Sequence, residues 1–302
     1  MTKKPATPDM LPLGAILACI LVAALWGGNF VAAKIAMEHY PPLLYASLRF
    51  FGVALLLAPF LRWPTGHWKD LNIFALTLGT LHFSFTFVAI HMGLDIPTAI
   101  LTSQMGVPFS CVLGAIMLKD RLGPWRSFGL MIAFLGLLVI AGSPNLREHM
   151  TAFWLMLTGA FFWSLSNIQI KKLADLPIFT TLGWTSLISA PQLLLISLIM
   201  EGSSLPYLAP TLLPLKASLA VVYSIIGSTV IAYGLWYRLL GKHKVSQVVP
   251  FSLLIPFFGI TAGVLILGEP LTTSTIIGGI ITLSGVGTIV IRKPKMFRGQ
   301  EP

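Results

Sequence analysis

Ten apolar stretches, each long enough to cross a bilayer, take up almost the whole chain, and that arrangement leaves it few ways to fold. A hydrocarbon core about 30 Å thick needs roughly 20 mostly apolar residues in a helix. The candidates run Leu11–Lys34, Leu43–Arg62, Leu71–Leu94, Pro97–Leu118, Pro124–Gly142, Thr151–Leu173, Phe179–Met200, Leu215–Leu239, Val245–Leu267 and Leu271–Ile291. A closed β-barrel also satisfies backbone polar groups in lipid, but its strands alternate polar and apolar residues with period two. These runs are continuously apolar, so ten transmembrane helices are expected, an all-α polytopic membrane protein. With 56% hydrophobic and 10% charged residues, the 302-residue chain lies outside soluble composition. The first span is too long for a cleaved signal sequence and lacks a small-residue cleavage site, so it is expected to be retained.

Charge sets the expected orientation. A net charge of +10 can signal nucleic-acid binding, but here the basic residues sort by connection rather than forming a patch, so no nucleic acid is expected. One side holds Lys3, Lys4, Arg62, Lys69, Lys119, Arg121, Arg126, Lys171, Lys172, Arg238, Lys242, Lys244, Arg292, Lys293, Lys295 and Arg298. The other side holds Lys34, Arg147 and Lys216, and Arg49 lies inside a span. The positive-inside rule puts the first group, and with it both termini, in the cytoplasm. An even number of helices requires the termini to share a side.

The chain also resembles itself. At an offset of 149 residues, Phe109, Gly114, Leu118, Leu122, Gly129, Ile132, Gly136 and Ile140 coincide with Phe258, Gly263, Leu267, Leu271, Gly278, Ile281, Gly285 and Ile289, and Asp120 falls on Glu269. Trp26 and Lys34 match Trp163 and Lys171 at an offset of 137, with Asn29 and Asn167 one position out of register. Two units follow, residues 1–145 and 146–302. Five helices per unit is odd, so the second enters the membrane from the opposite side. Inverted repeats of this kind place a solute site at the midplane between them and support alternating access.

Candidate site residues follow from the cost of polarity in lipid. A charged side chain at the bilayer centre costs about 2.5–3.5 kcal/mol on insertion scales, so such residues face a cavity or a partner. Arg49, about two turns from the outer surface, can counter a substrate carboxylate, or can snorkel or hold a neighbouring helix. Asn29, His82, Gln104 and Asn167 add donors and acceptors, with the amides equally suited to joining helices. Trp26, Trp163 and Tyr233 supply aromatic walls, and Trp236 reads as an interface residue. His82, with an ordinary pKa near 6.5, is the candidate for proton coupling, against a neutral hydrogen-bonded histidine. Asp120 and Glu269 at helix ends read as local anchors. His91 and Asp95 read as solvated residues of a short outer turn. Pro108 and Pro256 interrupt helices 4 and 9 at nearly corresponding places, which marks those helices as moving elements. The glycine pairs Gly129/Gly136 and Gly278/Gly285 permit close packing within the chain or in a homodimer.

Other chemistry finds no support in the residues. Cys19 and Cys111 lie inside spans without ligand spacing, so no metal is expected. No G-x-x-x-x-G-K-[ST], H-E-x-x-H or G-x-S-x-G occurs, so neither a cofactor, ATP hydrolysis nor an enzyme is expected. A channel or membrane sensor is the alternative outside the transporters.

The stretch W-G-G-N-F-V-A-A-K at Trp26–Lys34, the P-P-L-x(4)-L-R-F of Pro41–Phe50 and the G-E-P-L of Gly268–Leu271 resemble the EamA-type branch of the drug/metabolite transporter superfamily. The resemblance covers essentially the whole chain. It implies a ten-helix duplicated carrier with helices 5 and 10 at the periphery, and its nearest likeness is to exporters of amino acids and cysteine-pathway metabolites. A proton-coupled exporter of cationic drugs is the alternative within the superfamily. The four-helix multidrug relatives carry an acidic residue in helix 1, and Leu11–Lys34 has none.

Overall fold

The computed structural model describes residues 11–117, 123–202, 214–243 and 248–291. Both termini, with Lys3, Lys4, Arg292, Lys293, Lys295 and Arg298, lie outside the described residues, as do Leu118, Lys119, Asp120, Arg121, Leu122 and Lys244. Among the described residues the chain is helical without strands. Nine helices among the described residues are long and apolar enough to cross a membrane: α1 Leu13–Met37, α2 Pro42–Phe60, α3 Trp68–His91, α4 Ile96–Met117, α5 Pro124–Ala141, α7 Ile178–Met200, α8 Leu215–Leu240, α9 Val249–Leu267 and α10 Thr273–Val290. The sixth expected span forms a 20-residue helix, α6 Met150–Gln169, whose Ser, Thr, Asn and Gln content keeps it below the apolarity of the others. Ends shift by a few residues from the hydropathy limits. Pro42, Pro97 and Pro124 account for three of the starts, since proline suits the first helical turn.

The two halves are interlaced rather than side by side. Helix α1 packs on α8 and α9 of the second half, while α6 packs on α3 and α4 of the first. The helices that should be each other's equivalents, α2 with α7 and α5 with α10, meet directly. Both pairs run antiparallel. On α2/α7 this is seen from Leu43 N donating to Glu201 at one end, Ser47 Oγ to Ala190 O in the middle and Thr180 Oγ1 to Phe60 O at the other. Equivalent helices that meet antiparallel are what a two-fold axis in the membrane plane produces, so the repeats are inverted.

The glycine stripe is used inside the chain. A Cβ on Gly136 would sit 2.4 Å from Thr282 N and 2.7 Å from Gly278 O, and one on Gly285 would sit 2.4 Å from Ala133 N. Only glycine lets α5 and α10 approach this closely, so the stripe is not free to join protomers.

Two irregularities recur at the repeat spacing. Helix α3 contains π-helical turns over Ala75–His82 and α8 over Ser224–Ile231, and the two segments stand 149 residues apart. Helix α4 breaks at Gln104 and Met105, and α9 changes from a 3₁₀ segment to α-helix between Leu253 and Leu254. Pro108 and Pro256 have no N–H to donate to the turn before them, and their rings crowd its carbonyls, which explains both interruptions.

Candidate substrate site

The W-G-G-N stretch of α1 is a contact strip in which each residue has its own neighbour. A Cβ on Gly27 would lie 2.7 Å from Ile255 O and from Gly259 N of α9, and one on Gly28 would lie 2.7 Å from the Tyr223 hydroxyl of α8. Between these close approaches, Trp26 Nε1 donates to Ser228 O (3.1 Å), and Asn29 Oδ1 accepts from Ser228 Oγ (2.8 Å). Trp26 and Asn29 are therefore fixed to the π-helical turns of α8. Such turns leave carbonyls without regular partners and cluster at functional sites.

Arg49 reaches the same turns from α2 and is 2% exposed. Its Nε donates to Thr229 Oγ1 (3.1 Å), and NH2 donates to Thr229 Oγ1 (2.9 Å) and Ser228 Oγ (3.2 Å). The guanidinium carbon lies 4.5 Å from the centre of the Phe83 ring, a cation–π arrangement. NH1 is buried with no hydrogen-bond partner among the described residues. No described carboxylate pairs with Arg49. Its neutral surroundings hold the guanidinium in place without cancelling its charge.

Tyr45, one turn before Arg49, shares a 2.7 Å hydrogen bond with Ser224 Oγ. Tyr233 stands edge-on to Trp26 at 5.1 Å. Trp236 also packs on Trp26, at 5.2 Å. His82 lies on the far side of Phe83, with ring centres 4.6 Å apart. Its Nδ1 is 2.9 Å from Gly159 O of α6; a carbonyl only accepts, so Nδ1 carries the proton and Nε2 is the atom able to gain another.

The structure thus brings Trp26, Asn29, Arg49, Tyr233 and, through Phe83, His82 into one cluster. Trp163 and Asn167 of α6 face α4, and Gln104 lies at the break of α4. A Cβ on Gly106 would lie 2.5 Å from Trp163 Cε3, Asn167 Nδ2 donates weakly to Ser110 Oγ (3.4 Å), and the Gln104 side chain has no hydrogen bond among the described residues. His82 links the cluster to Trp163, because Gly159 and Trp163 are one turn apart on α6. Sequence reasoning passed over Tyr45, Phe83, Ser224, Ser228 and Thr229. The spacing Ser224, Ser228, Thr229 on one helical face was the available signal, but hydroxyls are too common in membrane helices to single out.

A cavity of ≈ 680 Å³ lies at the Arg238 end of the bundle, lined by Leu173, Ile178, Phe179, Val230, Tyr237 and Arg238 among others. Its α8 lining begins at Val230, which follows Thr229 directly. The opposite end is held by carboxylates of the second repeat. Glu201 accepts from Leu43 N (2.7 Å) and Leu44 N (3.2 Å) at the start of α2. Gly268, at φ 66°, ends α9 in a left-handed turn. That turn lets Glu269 pair with Lys34 and accept from Ile96 N at the start of α4. Glu269 is the local anchor expected of it. Asp95 is not merely a solvated turn residue, since it caps α4 by accepting from Thr98 N (2.8 Å).

The fold is a multi-helix membrane bundle with a buried cation, Arg49, where its halves meet. The family comparison gives this fold its particular form. The model of the EamA-like transporter family matches residues 13–142 and again 150–291, and the chain belongs to that family. It is 32% identical over 273 residues to a Salmonella typhimurium protein named "Probable amino-acid metabolite efflux pump", covering 88% of this chain and 91% of that one. An Escherichia coli K12 protein of the same name is 31% identical over the same shares. One crystal structure superposes with a TM-score of 0.63 at 19% identity, over 91% of this chain and 96% of the other, a likeness of fold.

Proposed function

We propose that this transporter is a secondary carrier that exports small amino acids or related metabolites across the bacterial inner membrane. It would work by alternating access of two inverted repeats, residues 1–145 and 146–302. The observation that carries this reading is Arg49, whose buried guanidinium keeps one nitrogen unpaired and has only neutral partners among the described residues. A substrate carboxylate supplies the missing charge and acceptor in bidentate geometry. Asn29, Trp26 and Tyr233 then wall the bound cargo. Gln104, Trp163 and Asn167 receive its other end. The names of the two enterobacterial relatives agree with an amino-acid metabolite as cargo.

In this reading the Arg238 end faces the cytoplasm together with both termini, and the ≈ 680 Å³ cavity is the entry. The Glu201 and Glu269 contacts close the outer end and release when the repeats rock. Kinks at Pro108 and Pro256 let α4 and α9 follow. His82 takes up the proton that would drive uphill export. Any homodimer would form through faces other than the glycine stripe.

Counterflow in proteoliposomes tests the site. Arg49→Ala is expected to abolish exchange of carboxylated amino-acid metabolites while membrane insertion stays intact. Unchanged exchange would remove Arg49 from the site.

A further inference from the structure

We propose that the protein binds one anionic phospholipid at its Arg238 end, in a seat built from Trp63, Trp68 and Trp184 with Arg62 and Lys69. The seat lies apart from Arg49, and the proposal goes beyond the transport reading.

Three indole rings from three parts of the chain meet at this end. Trp63 follows the end of α2, Trp68 opens α3, and Trp184 lies in the second turn of α7. Phe60, at the end of α2, packs on Phe179 (5.8 Å), which lines the cavity there with Arg238. Trp68 stands 4.9 Å from Trp184 and 5.0 Å from Trp63, and Trp63 stands 5.8 Å from Trp184, all edge-on. Trp184 Nε1 donates to Arg62 O (2.8 Å), which pins the chain leaving α2 against α7. The other two indole N–H groups have no hydrogen bond among the described residues, and Trp63 is 70% exposed.

Tryptophans at a membrane surface commonly form a belt that does not choose between lipids. Charge makes this trio selective. Each free indole donor has an exposed cation beside it in sequence, Arg62 next to Trp63 and Lys69 next to Trp68. Neither cation forms an ion pair among the described residues, and the neighbouring carboxylate, Asp70, is held by Lys172 (3.5 Å). A phosphodiester supplies both the negative charge and the acceptor oxygens that these groups lack.

The apolar side fits the same occupant. Ile73 and Leu76 of α3 and Leu187 of α7 are exposed, about one to two turns further into the bilayer than the trio. They offer acyl chains a wall beneath a headgroup held by Trp63, Arg62 and Lys69. A soluble phosphate ester would use the headgroup contacts and leave the wall unused, so the occupant is a lipid.

Native mass spectrometry of the detergent-purified chain tests this, with phosphatidylglycerol and phosphatidylcholine carrying identical acyl chains. The wild type is expected to bind one phosphatidylglycerol roughly tenfold more tightly than phosphatidylcholine. Arg62→Gln combined with Lys69→Gln should abolish that preference. Trp63→Ala removes one donor and an exposed ring, and should weaken phosphatidylglycerol binding roughly fivefold. A large excess of glycerol phosphate should leave the lipid in place. Equal affinity of the wild type for the two lipids would overturn the proposal. So would an undiminished preference in the double variant, or wild-type affinity in Trp63→Ala. Displacement by glycerol phosphate would overturn the lipid as occupant and give the seat to a soluble phosphate ester.

Discussion

Thr80 of α3 and Thr229 of α8 occupy equivalent places in the two π-helical segments, 149 residues apart, and each is hydrogen-bonded by a side chain from the opposite repeat. Thr229 accepts from Arg49 of α2, and Thr80 donates to Gln192 Oε1 of α7 (2.6 Å). The backbone plan is duplicated, but its chemistry is not. One crossing carries a fixed charge and the other a neutral amide, so the pseudo-symmetric bundle has a single charged pole.

That pole depends on shape as well as charge. Lysine at position 49 would keep the positive charge but lose the fork that spans Thr229 and Ser228 while lying on Phe83. Arg49→Lys is expected to retain exchange with apparent affinity weakened by roughly tenfold, while Arg49→Gln loses exchange altogether. Concentration-dependent counterflow distinguishes the two, and equal rates in both variants would show that the charge is dispensable.

The coupling role given to His82 has a separate readout. His82→Gln keeps a donor near Gly159 O but removes the group that gains a proton. Downhill exchange should persist, and accumulation driven by a proton gradient should be lost. Uphill transport that survives the substitution would place coupling elsewhere.

Packing of α5 on α10 has little slack. Gly136→Ala puts a methyl group against the backbone of α10, 2.4 Å from Thr282 N. The expected cost is about 1–3 kcal/mol, read as a lower melting temperature in detergent. Gly14, with nothing within 4 Å of its would-be Cβ, is the control. Gly14→Ala should leave the melting temperature unchanged or raise it, as replacing a helical glycine normally does.

Glu201 anchors the start of the helix that carries Arg49. Glu201→Ala leaves the Leu43 and Leu44 amides without their acceptor, at a cost of about 1–2 kcal/mol for a lost helix cap. Glu201→Gln keeps one acceptor oxygen and should lose less. Hydrogen exchange at those two amides should rise in the same order, and protection unchanged in the alanine variant would mean that Glu201 does not hold α2.

The sequence by itself determined the ten helices, because hydropathy over 20 residues is a local property set by the thickness of the bilayer. It also determined the duplication, since glycine and tryptophan positions survive as spacing along the chain, and it marked Arg49 as a charge needing a partner. It determined the breaks near Pro108 and Pro256 too, through the missing proline donor. Partners were another matter. That Arg49 would meet Thr229, 180 residues away, that Glu201 would cap α2, and that Asn29 would meet Ser228 while Asn167 meets Ser110 depend on which helices touch. Only the tertiary structure decided these, because lipid exerts no hydrophobic pull between apolar helices and their neighbours are chosen by close backbone approach and buried hydrogen bonds.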